Sequence, residues 1–148
     1  KNQRWCHARW GRWVRMAWPR FTPVVPGSEE LHRWLVHLRD WARRRSYIYV
    51  YASLPARMTT EELFRSVGLV PHADVRWHPV PAPLARWAAA GLILKRRKKR
   101  FDIIVAPDER WGEALRRFSF WHHAQVIPET REEQLQALWQ RSRSQLSS

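Results

Sequence analysis

The stretch that organises the chain is Gly91–Pro107, GLILKRRKKRFDIIVAP. Six consecutive cations, Lys95, Arg96, Arg97, Lys98, Lys99 and Arg100, run directly into an apolar strand, Phe101-Asp102-Ile103-Ile104-Val105. A free basic tail would continue into more polar chain. Here the cations are fastened to a segment that gains free energy by burial, so the folded body holds their charge in a fixed place.

At 148 residues the chain supports one domain of ordinary size with extensions at both ends. Its 27 Lys and Arg against 13 Asp and Glu give a net charge of +14 and a pI near 11.5, which makes a nucleic acid the first partner to expect. A hydrophobic content of 45% supplies a core. The charge is uneven: residues 1–45 carry 11 cations and 3 anions, residues 46–128 carry 13 and 7, and residues 129–148 carry 3 of each. The single cysteine, Cys6, excludes an internal disulfide and any multi-cysteine zinc site. No run reaches the roughly 18–20 apolar residues of a membrane span. Eleven tryptophans suit a heavily contacted protein, and Lys1 in place of Met suits a processed precursor.

Residues 1–20 hold no acid and interleave Arg4, Arg9, Arg12 and Arg15 with Trp5, Trp10, Trp13 and Trp18. The pattern predicts an arm that threads along RNA, arginines on phosphates and indoles on bases. The same composition also describes a piece lying on a membrane surface or part of a targeting sequence. Pro19, Pro23 and Pro26 make residues 1–27 an arm plus a stiff connector. Residues 28–45 read as an amphipathic helix: Ser28 caps it, Glu29 and Glu30 open it, Arg43–Arg45 close it, and Leu31, Trp34, Leu35, Leu38 and Trp41 share one face.

From Ser46 the expected order is strand, helix, strand, strand, helix, strand. Ser46–Leu54 alternates Tyr47, Tyr49 and Tyr51 against Ile48 and Val50. Thr59 and Glu62 form a capping box for a helix closed by Gly68. Val75–Val80, Phe101–Val105 and Gln125–Ile127 are strands; Leu84–Leu94 is an Ala-rich segment, and Pro107–Phe118 a helix with Trp111, Ala114, Leu115 and Phe118 inward. Thr130 and Glu133 start a C-terminal helix with Leu135, Leu138 and Trp139 inward. This order over 46–128 predicts an α+β, ferredoxin-like β-α-β-β-α-β fold, an antiparallel sheet with an N-terminal arm and helix and a C-terminal helix and tail over 129–148.

Ile48-Tyr49-Val50 with Leu54-Pro55 resembles the first-strand signature of RNA recognition motifs, although Lys99-Arg100-Phe101-Asp102-Ile103 supplies only one of the two aromatics of their third-strand signature. Tyr47–Pro55, the basic loop Leu94–Arg100 feeding Phe101–Ala106, the helix Pro107–Phe118 and the strand Gln125–Ile127 are similar, in order and spacing over residues 46–128, to the small-subunit ribosomal protein family numbered six. Ser28–Glu30, the Thr59–Val75 passage and the basic loop also resemble the large-subunit family numbered twenty-three. The resemblance implies a structural component of a ribosome, in contact with ribosomal RNA and neighbouring ribosomal proteins, and the arginine-rich, acid-poor start points to a mitochondrial one, in the matrix. It extends that role to Lys95–Arg100 and to the edge bearing Tyr49 and Tyr51.

Catalytic chemistry finds little footing. Glu29, Glu30, Glu61, Glu62, Asp108, Glu109, Glu132 and Glu133 stand at helix starts, where capping accounts for them. Asp102 has Lys99 and Arg100 beside it. His122 and His123 are adjacent and diverge, and His32 and His37 miss the i,i+4 spacing of a helical metal pair. RNA contact or exposure suits these histidines better. No glycine-rich phosphate loop is present, and no base lies near Cys6 in sequence. The expectation is a binding protein rather than an enzyme, with no cofactor, metal or small-molecule substrate, working inside a large hetero-assembly. The other reading is an accessory scaffold of a mitochondrial inner-membrane complex, of the respiratory chain or ATP synthase, with the arm at the lipid headgroups.

Overall fold

The computed structural model describes residues 13–95, 101–129 and 131–144. Within them lies a five-stranded sheet with the order β3-β2-β1-β4-β5, every neighbouring pair parallel. The strands are β1 (Val14–Pro19), β2 (Ser46–Ala52), β3 (Val75–Pro79), β4 (Ile103–Ala106) and β5 (Gln125–Pro128). The helices are α1 (Glu29–Arg43), α2 (Thr60–Ser66), α3 (Ala85–Leu94), α4 (Glu109–Arg116), α5 (Ser119–His122) and α6 (Glu132–Ser144).

The antiparallel ferredoxin-like expectation is therefore overturned. The correction has two sources. Val14–Pro19, assigned by composition to a basic arm, is the central strand, paired with β2 from Val14↔Ser46 to Pro19↔Tyr51 and with β4 at Met16↔Ile103. The Ala-rich segment is a helix, α3, which carries the chain from β3 across to β4. With both restored, strands and helices alternate, and alternation means parallel pairing. The resemblance to the ribosomal family rested on the antiparallel order, so the fold lends it no support.

Topology fixes the layers. The chain steps β1 to β2 to β3 in one direction, then returns past β1 to β4 and β5. Right-handed crossovers then put the first helices on one face and the later ones on the other. The two cores follow this division. On one face Val14, Met16, Trp18, Ile48 and Val50 pack against Leu35, Leu38 and Trp41 of α1, Leu63 and Phe64 of α2, and Leu135, Leu138 and Trp139 of α6. On the other, Ala17, Tyr49, Tyr51, Ile104 and Ala106 pack against Ala85, Ala89 and Ile93 of α3 and Trp111 and Leu115 of α4. Gly112 lets α4 approach β4, since a Cβ there would stand 3.0 Å from Ala106 Cβ.

Several local expectations hold. Ser28 Oγ accepts from Leu31 N at 3.2 Å and Thr59 Oγ1 from Glu62 N at 3.2 Å, so both caps form. The apolar stripe of α1 is buried, as are Leu135, Leu138 and Trp139. Phe118 is not inward, at 45% exposed, and His122 is buried rather than at the surface. The capping residue expected at Thr130 lies outside the described residues.

One hydrogen bond ties the last helix to the sheet: Trp139 Nε1 donates to Ser46 Oγ at 2.8 Å, both groups buried. Ser46→Ala should remove this buried acceptor and cost about 1–3 kcal/mol. Urea unfolding measures it; an unchanged midpoint would show that α6 is held by packing alone.

Candidate nucleic-acid interface

A parallel sheet puts all strand starts at one end and all strand ends at the other. Helices between them start at the carboxyl end and finish at the amino end. Acids favour helix starts and cations favour helix ends, so this topology sorts charge along the molecule. The first turns of α1, α2 and α6 carry Glu29 and Glu30, Glu61 and Glu62, and Glu132 and Glu133, and α4 opens on Asp108 and Glu109. Arg43, Arg65 and Arg116 sit in the last turns of α1, α2 and α4. Arg44 and Arg45, Arg76 at the start of β3 and Lys95 after α3 join them at the amino end.

A group of aromatic rings and guanidinium groups lies at that end on the α3 side of the sheet. Trp13 stacks on Tyr47 with ring centroids 5.0 Å apart and planes at 28°. Trp13 and Arg15 alternate on β1 as Tyr47 and Tyr49 do on β2, and Arg15 is registered with Tyr47, so all four share a face. The Arg15 guanidinium carbon lies 5.4 Å from the Tyr47 centroid and 5.5 Å from that of Tyr49, whose hydroxyl oxygen accepts its NH2 donor at 2.6 Å. Arg76, in register with Tyr49 on β3, stands 5.9 Å from the same ring. Trp13, Arg15 and Tyr47 are half-buried and Arg76 is exposed. Among the described residues, no carboxylate forms an ion pair with Arg15, Arg76 or Lys95.

Of the residues singled out in the sequence, Trp13, Arg15 and Tyr49 come together here, and Lys95 is exposed at the same end. Tyr51 does not belong to the surface: it is 0% exposed, under Phe101 and His78. Tyr49 is 6% exposed, and its hydroxyl accepts from Arg15. Neither tyrosine is on an edge, because β2 lies inside the sheet. Arg4, Trp5, Arg9, Trp10, Arg12 and Arg96–Arg100 lie outside the described residues. Composition missed Tyr47 and Arg76 as partners of the group; the Trp13-Val14-Arg15 and Tyr47-Ile48-Tyr49 alternations carried the signal. Asp102 takes a structural role, its Oδ2 accepting from Arg15 N at 2.9 Å.

The carboxyl end, where doubly wound sheets usually hold ligands between diverging crossovers, is filled by the chain itself. Phe21 meets Trp111 edge-on at 5.2 Å, Arg86 lies over Phe21 at 5.4 Å, and Arg86 Nε is 3.4 Å from Asp108 Oδ2. Ser28 and Asp108 cap the two helices that face this crevice, so their first N–H groups are already engaged. Beside α4 lie a recess of about 150 Å³ lined by Ala106, Gly112 and Pro128 together with Arg116 and Arg131, and a more open one of about 350 Å³ along Glu109, Glu113 and Arg117. The buried His122 ring is held at both nitrogens: Nδ1 accepts from Ala124 N at 2.9 Å, and Nε2 lies 2.7 Å from Leu115 O. Among the described residues no group of His, Cys, Asp and Glu could hold a metal ion, and no helix is long and apolar enough to cross a membrane.

Past β5, Glu129 belongs to the exposed residues, yet the protein around its carboxyl desolvates it enough to raise its pKa above the usual 4.5; Arg20 and His37 oppose that shift. The folded carboxyl thus keeps its proton to higher pH than the unfolded one. Stability should fall as pH rises from the ordinary value through the raised one, and Glu129→Gln should abolish that slope. Urea midpoints of both proteins between about pH 4 and 8 test this; a wild-type midpoint that climbs relative to the variant overturns it. No known protein family, curated protein or solved structure matches this chain.

Proposed function

We propose that the chain is a structural RNA-binding protein that meets its partner with the amino end of its sheet. The observation that carries this reading is the charge sorting. Among the described residues Arg15, Arg76 and Lys95 form no ion pair with a carboxylate, and Arg15 and Arg76 lie over the rings of Tyr47 and Tyr49, whereas Arg20 and Arg86 at the other end are held by Glu30 and Asp108. Unpaired guanidinium groups held in place by rings and strands bind phosphate without first breaking an internal ion pair. The stretch 96–100 adds five more cations between Lys95 and Phe101, the two flanks at this end. Ribosomal RNA in a mitochondrial ribosome is the setting we infer, supported by the net charge and the arginine-rich start of the sequence. Binding, with order gained on assembly, is the mechanism; no reaction is assigned.

A scaffold role at a membrane complex has one observation in its favour. On α3, Trp87 is 79% exposed, and Leu84 just before it is 58% exposed. Such residues suit a protein or headgroup contact. Treating the native particle with ribonuclease separates the readings, because only the first predicts release.

The direct test is salt dependence. Each neutralised phosphate contributes about 0.7–0.9 to the slope of log K against log salt. Arg76→Glu with Lys95→Glu should lower affinity at least about tenfold and reduce the slope by about 1–2, with an unchanged urea midpoint. Binding that ignores salt, or a double variant that binds as wild type does, sinks the assignment of this surface.

A further inference from the structure

We infer that the amino-end group selects single-stranded RNA, by stacking an unpaired base on the Trp13–Tyr47 pair while Arg15 and Arg76 hold the flanking phosphates. This inference rests on the RNA-binding reading above and narrows its substrate.

Three observations carry it. First, the aromatic pair is preformed: the rings are already at 5.0 Å and 28°, and both residues are half-buried, so part of the stack still meets solvent. A base stacked there extends an existing pile at little cost in side-chain entropy. Bases inside a duplex have both faces covered and cannot use it.

Second, Arg15 is pinned. Its hydrogen bond to the Tyr49 hydroxyl at 2.6 Å and its position over two rings fix the guanidinium plane in the face. A guanidinium held this way presents remaining donors in one direction, suited to a phosphate beside a stacked base. Long cations that track a duplex backbone gain from freedom to adjust, which this one has given up.

Third, the group is small. Arg15 on β1 and Arg76 on β3 are separated by β2 alone. At about 4.8 Å between strands, and with a two-residue offset along β2 from Tyr47 to Tyr49, their backbone positions stand about 12 Å apart. Shape-reading of duplex RNA uses contacts distributed over about 16 base pairs. Two cations this close, 5.5 and 5.9 Å from the same Tyr49 ring and beside the Trp13–Tyr47 stack, match one or two nucleotides of a splayed strand.

The experiment uses the full chain, a fluorescein-labelled unstructured 12-nucleotide RNA, and the blunt duplex made from it and its complement, with affinity read by anisotropy. Trp13→Leu should weaken single-strand binding about tenfold or more while duplex affinity stays within about twofold, with the salt slope unchanged. Trp13→Phe should retain most of the affinity. Since Trp13→Leu removes buried area beside β1, Arg15→Lys is the second variant: it keeps the charge, loses the planar face, and should lose single-strand affinity severalfold with duplex affinity preserved. Equal losses on both RNAs, or single-strand binding untouched in both variants, overturn the stacking step and leave the phosphate-binding surface standing. Wild-type protein that binds neither RNA overturns this inference and the functional reading beneath it.

Discussion

The fold depends on the seating of Val14–Pro19 between β2 and β4. That strand carries hydrogen bonds on both sides, among them Val14 N to Arg45 O at 3.1 Å, Arg20 N to Tyr51 O at 3.0 Å and Asp102 N to Arg15 O at 2.9 Å. Its side chains supply both cores, Val14, Met16 and Trp18 to one and Ala17 to the other, none more than 1% exposed. Remove it and β2–β3 and β4–β5 become two separate parallel pairs, each with an unmatched inner edge. Parallel pairs of that size have no independent stability.

Charge placement follows from the same constraint. Acids at helix starts and cations at helix ends are local preferences worth about 0.3–1 kcal/mol each. In an antiparallel fold those preferences would scatter charge over both ends. Here every helix between strands runs the same way, so the local effects add into a molecule with an acid-rich carboxyl end and a basic amino end. Concentrating like charge destabilises the free protein, and a polyanion at that end relieves it.

Much of the local structure was legible in the sequence. The stripe of α1, the Ser28 and Thr59 caps, the face alternation of Tyr47–Tyr51 and the inward residues of α6 follow from period and capping chemistry alone, and the structure contains them. Topology was less legible, for a physical reason. A strand buried on both faces has no polar–apolar alternation to announce it, and in VRMAWP the one cation, Arg15, lends the strand the composition of its basic surroundings. The same holds for ARWAAAGLIL, whose alanines and lone glycine hide a helix that is apolar nearly all round. Misreading those two segments changed alternation into a ferredoxin-like order. At the interface the basic run was easy to see, while Arg76 was not, because its partner Tyr49 is reached through β2–β3 register and not through sequence spacing.

The filled carboxyl crevice bears on function as strongly as the open amino end. In doubly wound folds a ligand gains its specificity from helix starts and loops at the strand ends. Here those helix starts are occupied by Ser28 and Asp108, and the cleft is taken up by Phe21, Arg86 and Trp111, whose Nε1 donates to Arg86 O at 3.1 Å. An anion approaching that end meets arginines already paired with Glu30 and Asp108 among the acids of the helix starts, so both desolvation and Coulomb terms oppose it. At the opposite end Arg15 and Arg76 form no ion pair with a carboxylate among the described residues, Trp13 and Tyr47 are half-buried, and the backbone is already ordered by β1. On the function proposed above, the sheet would meet its partner at the end where its strands begin, inverting the usual polarity of the architecture, and the open face there suits a broad polyanion better than a small enclosed ligand.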